Sequence, residues 1–108
     1  MPTKVIEVVK NDKLYDLEFT LQDSSGVVID LTGATLRFKA QKIGENTLKF
    51  TGNMDIVSAE AGTCKYQVQE GNFDEEGDYY GEIEVTFAGN QITTFDDILL
   101  KVKPELPR

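Results

Sequence analysis

Along most of this chain apolar and polar residues alternate one for one, and that period restricts what the chain can build. A helix repeats every 3.6 residues and shows its buried face at three- and four-residue spacings, whereas a strand repeats every two. Tyr15, Leu17, Phe19 and Leu21 alternate with Asp16, Glu18, Thr20 and Gln22. Leu36, Phe38 and Ala40 alternate with Arg37, Lys39 and Gln41, and Cys64, Tyr66 and Val68 with Lys65, Gln67 and Gln69. Two further sets, Tyr79-Gly81-Ile83-Val85-Phe87 and Ile98-Leu100-Val102, keep the same period. Strands of this kind have one buried and one wet face, as in antiparallel sheets. Shorter strand candidates lie at 4–9, 27–30, 47–50 and 54–59. No ten-residue stretch carries a helical period, and residues 72–76 suit one helical turn at most.

Turn-forming clusters separate the alternating runs: 23–26 (DSSG), 44–46 (GEN), 51–53 (TGN), 60–62 (EAG), 74–77 (DEEG) and 88–90 (AGN). Gly89-Asn90 fits a two-residue hairpin with glycine first, a type II′ turn. The expected architecture is all-β, an antiparallel sandwich or small barrel of about seven to nine strands. With 108 residues a single domain is expected, a sandwich over residues 1–103 with 104–108 as a proline-punctuated tail or linker. No apolar run approaches the length of a membrane span, and residues 1–12 lack the apolar core of a secretion signal. The expectation is a protein that stays in the cytoplasm of the cell that makes it, or leaves by a route such as lysis.

Composition removes several kinds of chemistry. There is no histidine and a single cysteine, Cys64, so neither a Ser–His–Asp nor a Cys–His site can be assembled within the chain. Cys64 sits in an alternating stretch and reads as a small core residue. The net charge is −8, and residues 51–108 hold twelve Asp/Glu against four Lys/Arg, which disfavours a phosphate backbone as partner. Gly33 belongs to no phosphate-binding pattern. Asp96 and Asp97 are strand neighbours that point to opposite faces. Asn72, Asp74, Glu76 and Gly77 occupy the first, third, fifth and sixth places of a calcium loop, but the twelfth, which needs a bidentate glutamate, is Ile83. The expectation is a non-enzymatic protein with no metal site and no cofactor, that binds neither nucleic acid nor membrane.

The outward positions carry more information. If the strand of Leu36 lies beside the strand of Ile83, Arg37 and Lys39 face Glu82 and Glu84. Unbroken alternation on the last strand puts Phe95, Asp97, Leu99 and Lys101 outward, so Phe95 and Leu99 with Tyr80 form the candidate partner-binding patch. In "DLTGA", Asp30 is expected to accept from backbone N–H groups and Leu31 to enter the core. Gly33 supplies a backbone conformation denied to larger residues.

Glu75-x-Gly77-x-Tyr79, just before a core strand, resembles the Asp-x-Gly-x-Tyr that precedes strand F in immunoglobulin-like domains. There the tyrosine hydroxyl ties the preceding corner to the backbone. In that comparison the glycine relaxes the turn and the acidic side chain caps a nearby N–H. Over a longer span, residues 12–103, the chain resembles the N-terminal immunoglobulin-like domain of phage baseplate upper proteins. The likeness is carried by "LYDLEFTLQDSSGVVIDLTGATLRFKAQ" with its Asp30-Leu31-Thr32-Gly33-Ala34, by "EAGTCKYQV", and by "EEGDYYGEIEVTFAGNQITTF". It implies an immunoglobulin-like sandwich of the virion, made in the bacterial host cytoplasm. Such a module docks to other tail or baseplate proteins, with self-association as a further option, and performs no catalysis. The alternative from a different class is an immunoglobulin-like adhesion module of a bacterial surface protein.

Overall fold

Seven strands follow the alternating runs. The computed structural model describes residues 4–105 apart from the side chain of Asp97; the outward placement expected for that side chain, and the tail past Glu105, lie outside the described residues. In chain order the strands are β1 (Lys4–Val9), β2 (Asp16–Thr20), β3 (Thr35–Lys42), β4 (Phe50–Ser58), β5 (Thr63–Gln67), β6 (Gly77–Thr86) and β7 (Ile92–Lys103). They hydrogen-bond in the order β1-β7-β6-β3-β4-β5-β2. All neighbours are antiparallel except β1, which runs parallel to β7 from Lys4↔Ile98 to Val9↔Lys103.

The strand order folds into two layers because β4 changes partner midway. Its first half pairs with β3 (Phe50↔Ala40 to Met54↔Leu36), and its second half pairs with β5 (Asp55↔Lys65 and Ile56↔Cys64). One sheet therefore contains β1, β7, β6, β3 and early β4; the other contains late β4, β5 and β2. The inward residues named from their period meet between the layers. Phe38 stacks on Tyr66 of the opposite sheet with centroids 5.1 Å apart, and Phe19 lies 5.7 Å from Phe38. Leu36, Phe38, Ala40, Cys64, Tyr66, Val68, Tyr79, Ile83, Val85, Leu100 and Val102 are all buried.

Local expectations fail where a tertiary contact outweighs turn propensity. Residues 51–53 are not a turn but part of the first half of β4. Gly52 is there because the Tyr66 ring lies on the backbone: a Cβ would meet Tyr66 Cε1 at 2.7 Å. Residues 47–49 stay outside the strand, and 27–30 contribute only the bridge Gln22↔Val28. No helical turn forms at 72–76. The Gly89-Asn90 hairpin is a three-residue loop rather than a two-residue one. Asn90 N–H donates to Phe87 O (2.8 Å), Phe87 N–H donates to Gln91 O (2.8 Å), and Asn90, not Gly89, takes the left-handed conformation at φ 66°. Asparagine tolerates that region well, so a type I turn closed by a left-handed residue is available.

Candidate interaction face

The outer surface of the first sheet is built by register. Lys39 pairs with Glu82 and Arg37 with Glu84, as the alternation requires. The ion pair itself forms on the diagonal, Lys39 Nζ to Glu84 Oε2 at 2.9 Å, with both side chains about a quarter exposed. One strand further, β7 departs from the expected alternation. Gly81 pairs with Ile98 and Ile83 with Phe95, so β7 spends three steps where β6 spends two. The single Glu82 thus opposes Asp96 and Asp97, which is a β-bulge.

That extra residue reverses the facing of everything on β7 before it. A one-residue slip moves a strand's side chains to the other face. Phe95 was expected outward with Leu99; instead it sits opposite the fully buried Ile83 and packs against the core. Leu99 keeps its outward place. It pairs with Tyr80 on one side and with Val5 of β1 on the other, and Tyr80 in turn pairs with Gln41. The result is an apolar row across three strands, Val5–Leu99–Tyr80, whose ends are 53% and 57% exposed. Tyr80 also lines an open groove of about 490 Å³ with Lys39, Gln41, Leu48, Glu82 and Asp96. Val5 and Leu48 are the members of this surface that the sequence reading passed over. Residues 4–9 are apolar on both faces, so their period does not single out Val5, and Leu48 was assigned to a strand that does not form.

Charge is balanced around the row. Arg37, Lys39, Lys101 and Lys103 share this face with Glu7, Asp78, Glu82, Glu84 and Asp96, and Lys103 pairs with Glu7. The outer face of the other sheet is acidic by contrast: Asp16, Glu18 and Asp55 surround Lys65.

The remaining motif residues are structural. Asp30 Oδ1 accepts from the Thr32 N–H (2.9 Å) and hydroxyl (2.6 Å), contacts that hold its carboxyl below the usual carboxylate range. Leu31 is fully buried, its N–H donating to Ala59 O (2.9 Å), while Ala34 N–H returns to Leu31 O (3.0 Å). Gly33, at φ 75°, takes the third place of this type II turn. At the other corner Tyr79 is buried and its hydroxyl donates to Glu75 O at 2.9 Å. Gly77 opens β6 at φ 132°. The Glu75 carboxylate was expected to cap a backbone N–H; it instead meets Lys42 and Lys49, each at 3.1 Å, and Lys49 also reaches Asp74 at 2.5 Å. Both lysines come from outside the motif, beyond what a local pattern can show.

A tyrosine at the start of strand F that bonds back to the corner is a mark of one sandwich family. So is pairing of the second strand with the fifth, against a sheet of the third, sixth and seventh. The chain is an immunoglobulin-like β-sandwich.

The residues weighed as a calcium loop are otherwise engaged. Asn72 Oδ1 accepts from Tyr66 Oη (2.6 Å) and Gln69 N–H (2.8 Å), Asp74 is bound by Lys49, and Ile83 is in the core. Among the described residues no three of His, Cys, Asp and Glu converge on one point. Cys64 is buried, its thiol pushed up to about 11 by that burial.

No protein-family model matches the sequence, and no curated protein matches it. Among solved structures the chain is similar to CopC from Methylosinus trichosporium OB3b, with a TM-score of 0.57 at 12% identity, covering 98% of this chain and 89% of that one. It also aligns with murine CRIg, at a TM-score of 0.40 and 11% identity, over 93% of this chain and 92% of that one. At 12% identity the likeness to CopC speaks to the fold alone.

Proposed function

We propose that this chain is a non-enzymatic docking module whose outer β1-β7-β6-β3 face binds another protein. The observation that carries this reading is the exposed Val5–Leu99–Tyr80 row set among charges of both signs. An apolar centre ringed by polar and charged residues is the anatomy of a protein–protein contact, and tyrosine is a favoured anchor at one. A second copy of the chain is the weaker occupant, because a net charge of −8 makes copies repel. A different subunit that offers apolar side chains and alternating charges suits the face better. The lack of histidine and the dispersal of the carboxylates support the non-catalytic reading.

Within that class we favour a structural subunit of a phage tail or baseplate. Support comes from the Asp30–Ala34 stretch and the strand order around it, which resemble the N-terminal domain of baseplate upper proteins. Genes for virion assembly on either side of the coding sequence would agree with this; a neighbourhood without them would count heavily against it. The docking face is tested by Tyr80→Asp and Leu99→Asp. Both variants should keep the wild-type circular dichroism and melting profile yet fail to co-elute with tail proteins that the wild type retains in size-exclusion chromatography. Undiminished co-elution would move the contact elsewhere.

A further inference from the structure

The place where β4 changes sheets leaves a second concavity, far in character from the apolar row. Beyond the Asp55↔Lys65 pair, early β4 turns away to join β3 while β5 stays with β2, so the two strands diverge. The wedge between them is an open groove of about 460 Å³ lined by Thr51, Asn53, Asp55, Gln67, Gln69 and Asn72, with Gly52 and the Tyr66 ring also bordering it. We propose that this groove binds a neutral, hydroxyl-rich ligand, a short oligosaccharide.

The lining selects for such a ligand in three ways. Four of its side chains are carboxamides, which both donate and accept and so match hydroxyls, which also do both. It holds no lysine or arginine and one carboxylate, Asp55, in a chain of net charge −8, so it has nothing to attract an anion. Apart from the largely covered Tyr66 it has no apolar side chain. An extended peptide added to the strand edge needs pockets for alternate side chains, and this lining offers an apolar one nothing but the Tyr66 ring.

Part of the wall is held ready. Asn72 is fixed by accepting from Tyr66 Oη and Gln69 N–H through one oxygen, which leaves its amide nitrogen as a donor. Gln69 Nε2 donates to Gln67 O at 3.0 Å, so the 67–72 segment is braced before any ligand arrives. Bracing of this kind lowers the ordering cost of binding. Thr51, Asn53 and Asp55 make no side-chain hydrogen bond among the described residues, and face the braced wall across the groove. The Tyr66 ring packs directly on Gly52, where an added Cβ would meet Tyr66 Cε1 at 2.7 Å.

The test is an amide-shift titration of the ¹⁵N-labelled chain with maltotriose, cellotriose and triacetylchitotriose. At least one should give saturable shifts confined to residues 51–55 and 66–72, with a Kd of about 1 mM or tighter and little change with added salt. Asn53→Ala and Gln67→Ala alter exposed side chains and should leave the rest of the spectrum in place while weakening binding about tenfold. Three results would overturn the proposal: no saturable shift from any of the three sugars, shifts centred on Tyr80 and Leu99, or unchanged affinity in both variants. Saturation of the same amides by an oligothreonine peptide but not by sugar would also overturn it, in favour of strand addition.

Discussion

Two corners of the chain, Asp30–Gly33 and Glu75–Gly77, place an acidic residue shortly before a glycine and are held by different means. At Asp30–Gly33 every polar contact is local or to the neighbouring backbone: the carboxylate serves Thr32, and Leu31 hangs from Ala59 O. At Glu75–Tyr79 the contacts come from elsewhere in the sandwich, from Lys42 of β3 and from Lys49 before β4. The first corner is an autonomous turn with a hydrophobic plug. The second ties the β5–β6 connection to the first sheet, and there Tyr79 and the fully buried Phe73 meet edge to face at 6.0 Å. A turn defined by its own hydrogen bonds can be moved between sequences; a tie to distant strands exists only once their sheet is in place.

The largest effects should come where the corners are alike, at their buried plugs. Phe73→Ala should cost about 3–5 kcal/mol and Leu31→Ala about 2–5 kcal/mol, since each empties a fully packed site. Urea denaturation followed by tyrosine fluorescence measures both. Near-equal losses would say that the plugs matter equally and that the corners differ only in their polar contacts. A Leu31→Ala loss well below the range would mean that the Asp30 turn can close over the cavity.

Replacing the glycines separates the corners further. Gly33 has φ 75°, a left-handed conformation that an L-residue can enter with modest strain, and an added Cβ would find only ordinary contact with Ala88 at 3.6 Å. Gly33→Ala should cost about 1 kcal/mol. Gly77 has φ 132°, far outside the left-handed well, and its Cβ would press on Lys42 Cε at 3.2 Å. Gly77→Ala should therefore cost more, about 1–3 kcal/mol, and displace the lysine that pairs with Glu75. Equal melting temperatures for the two variants would erase this distinction.

Much of the sandwich was legible because its information is periodic. The β3–β6 pair shows this best: that Leu36, Phe38, Ile83 and Val85 lie inside and Arg37, Lys39, Glu82 and Glu84 outside follows from alternation alone. The Asp30 corner was legible for a related reason, since Asp30 and Gly33 act on their own neighbours. What stayed hidden depended on counting between strands. The bulge at Asp96-Asp97 leaves no mark in a period of two, yet it turns Phe95 from the proposed contact face to pack against the core and reduces the predicted patch to Tyr80 and Leu99. Gly52 looked like a turn because its reason for being glycine, the Tyr66 ring, is fourteen residues away in sequence and in the opposite layer. The carboxamide groove was invisible on similar grounds, since it exists only where β4 leaves β5.

The smallest effect, and the most selective, concerns charge. Contacts with Lys49 and Lys42 hold the Glu75 carboxyl below its usual range, and Lys49 does the same to Asp74. Groups with lowered folded values contribute stability that is complete above the ordinary carboxylate range, near pH 4, and is lost as pH falls through the folded values. Lys49 itself is pushed up to about 12, chiefly by its hydrogen bond to Asp74. Its contribution is complete below the ordinary lysine value of 10.5 and fades as pH rises through about 12. The Glu75 corner should therefore show both an acid and an alkaline limb, and weaken in salt because its carboxylates are exposed. The Asp30 corner has an acid limb only: its carboxyl is lowered by Thr32, with no cation involved. In melting temperatures taken from pH 3 to pH 12, Lys49→Met should flatten both limbs relative to wild type and reduce the response to salt. Asp30→Asn should flatten the acid limb alone and leave the salt response unchanged. If Lys49→Met leaves the alkaline limb and the salt response as they are, the two corners are held alike after all, by their plugs and backbone bonds.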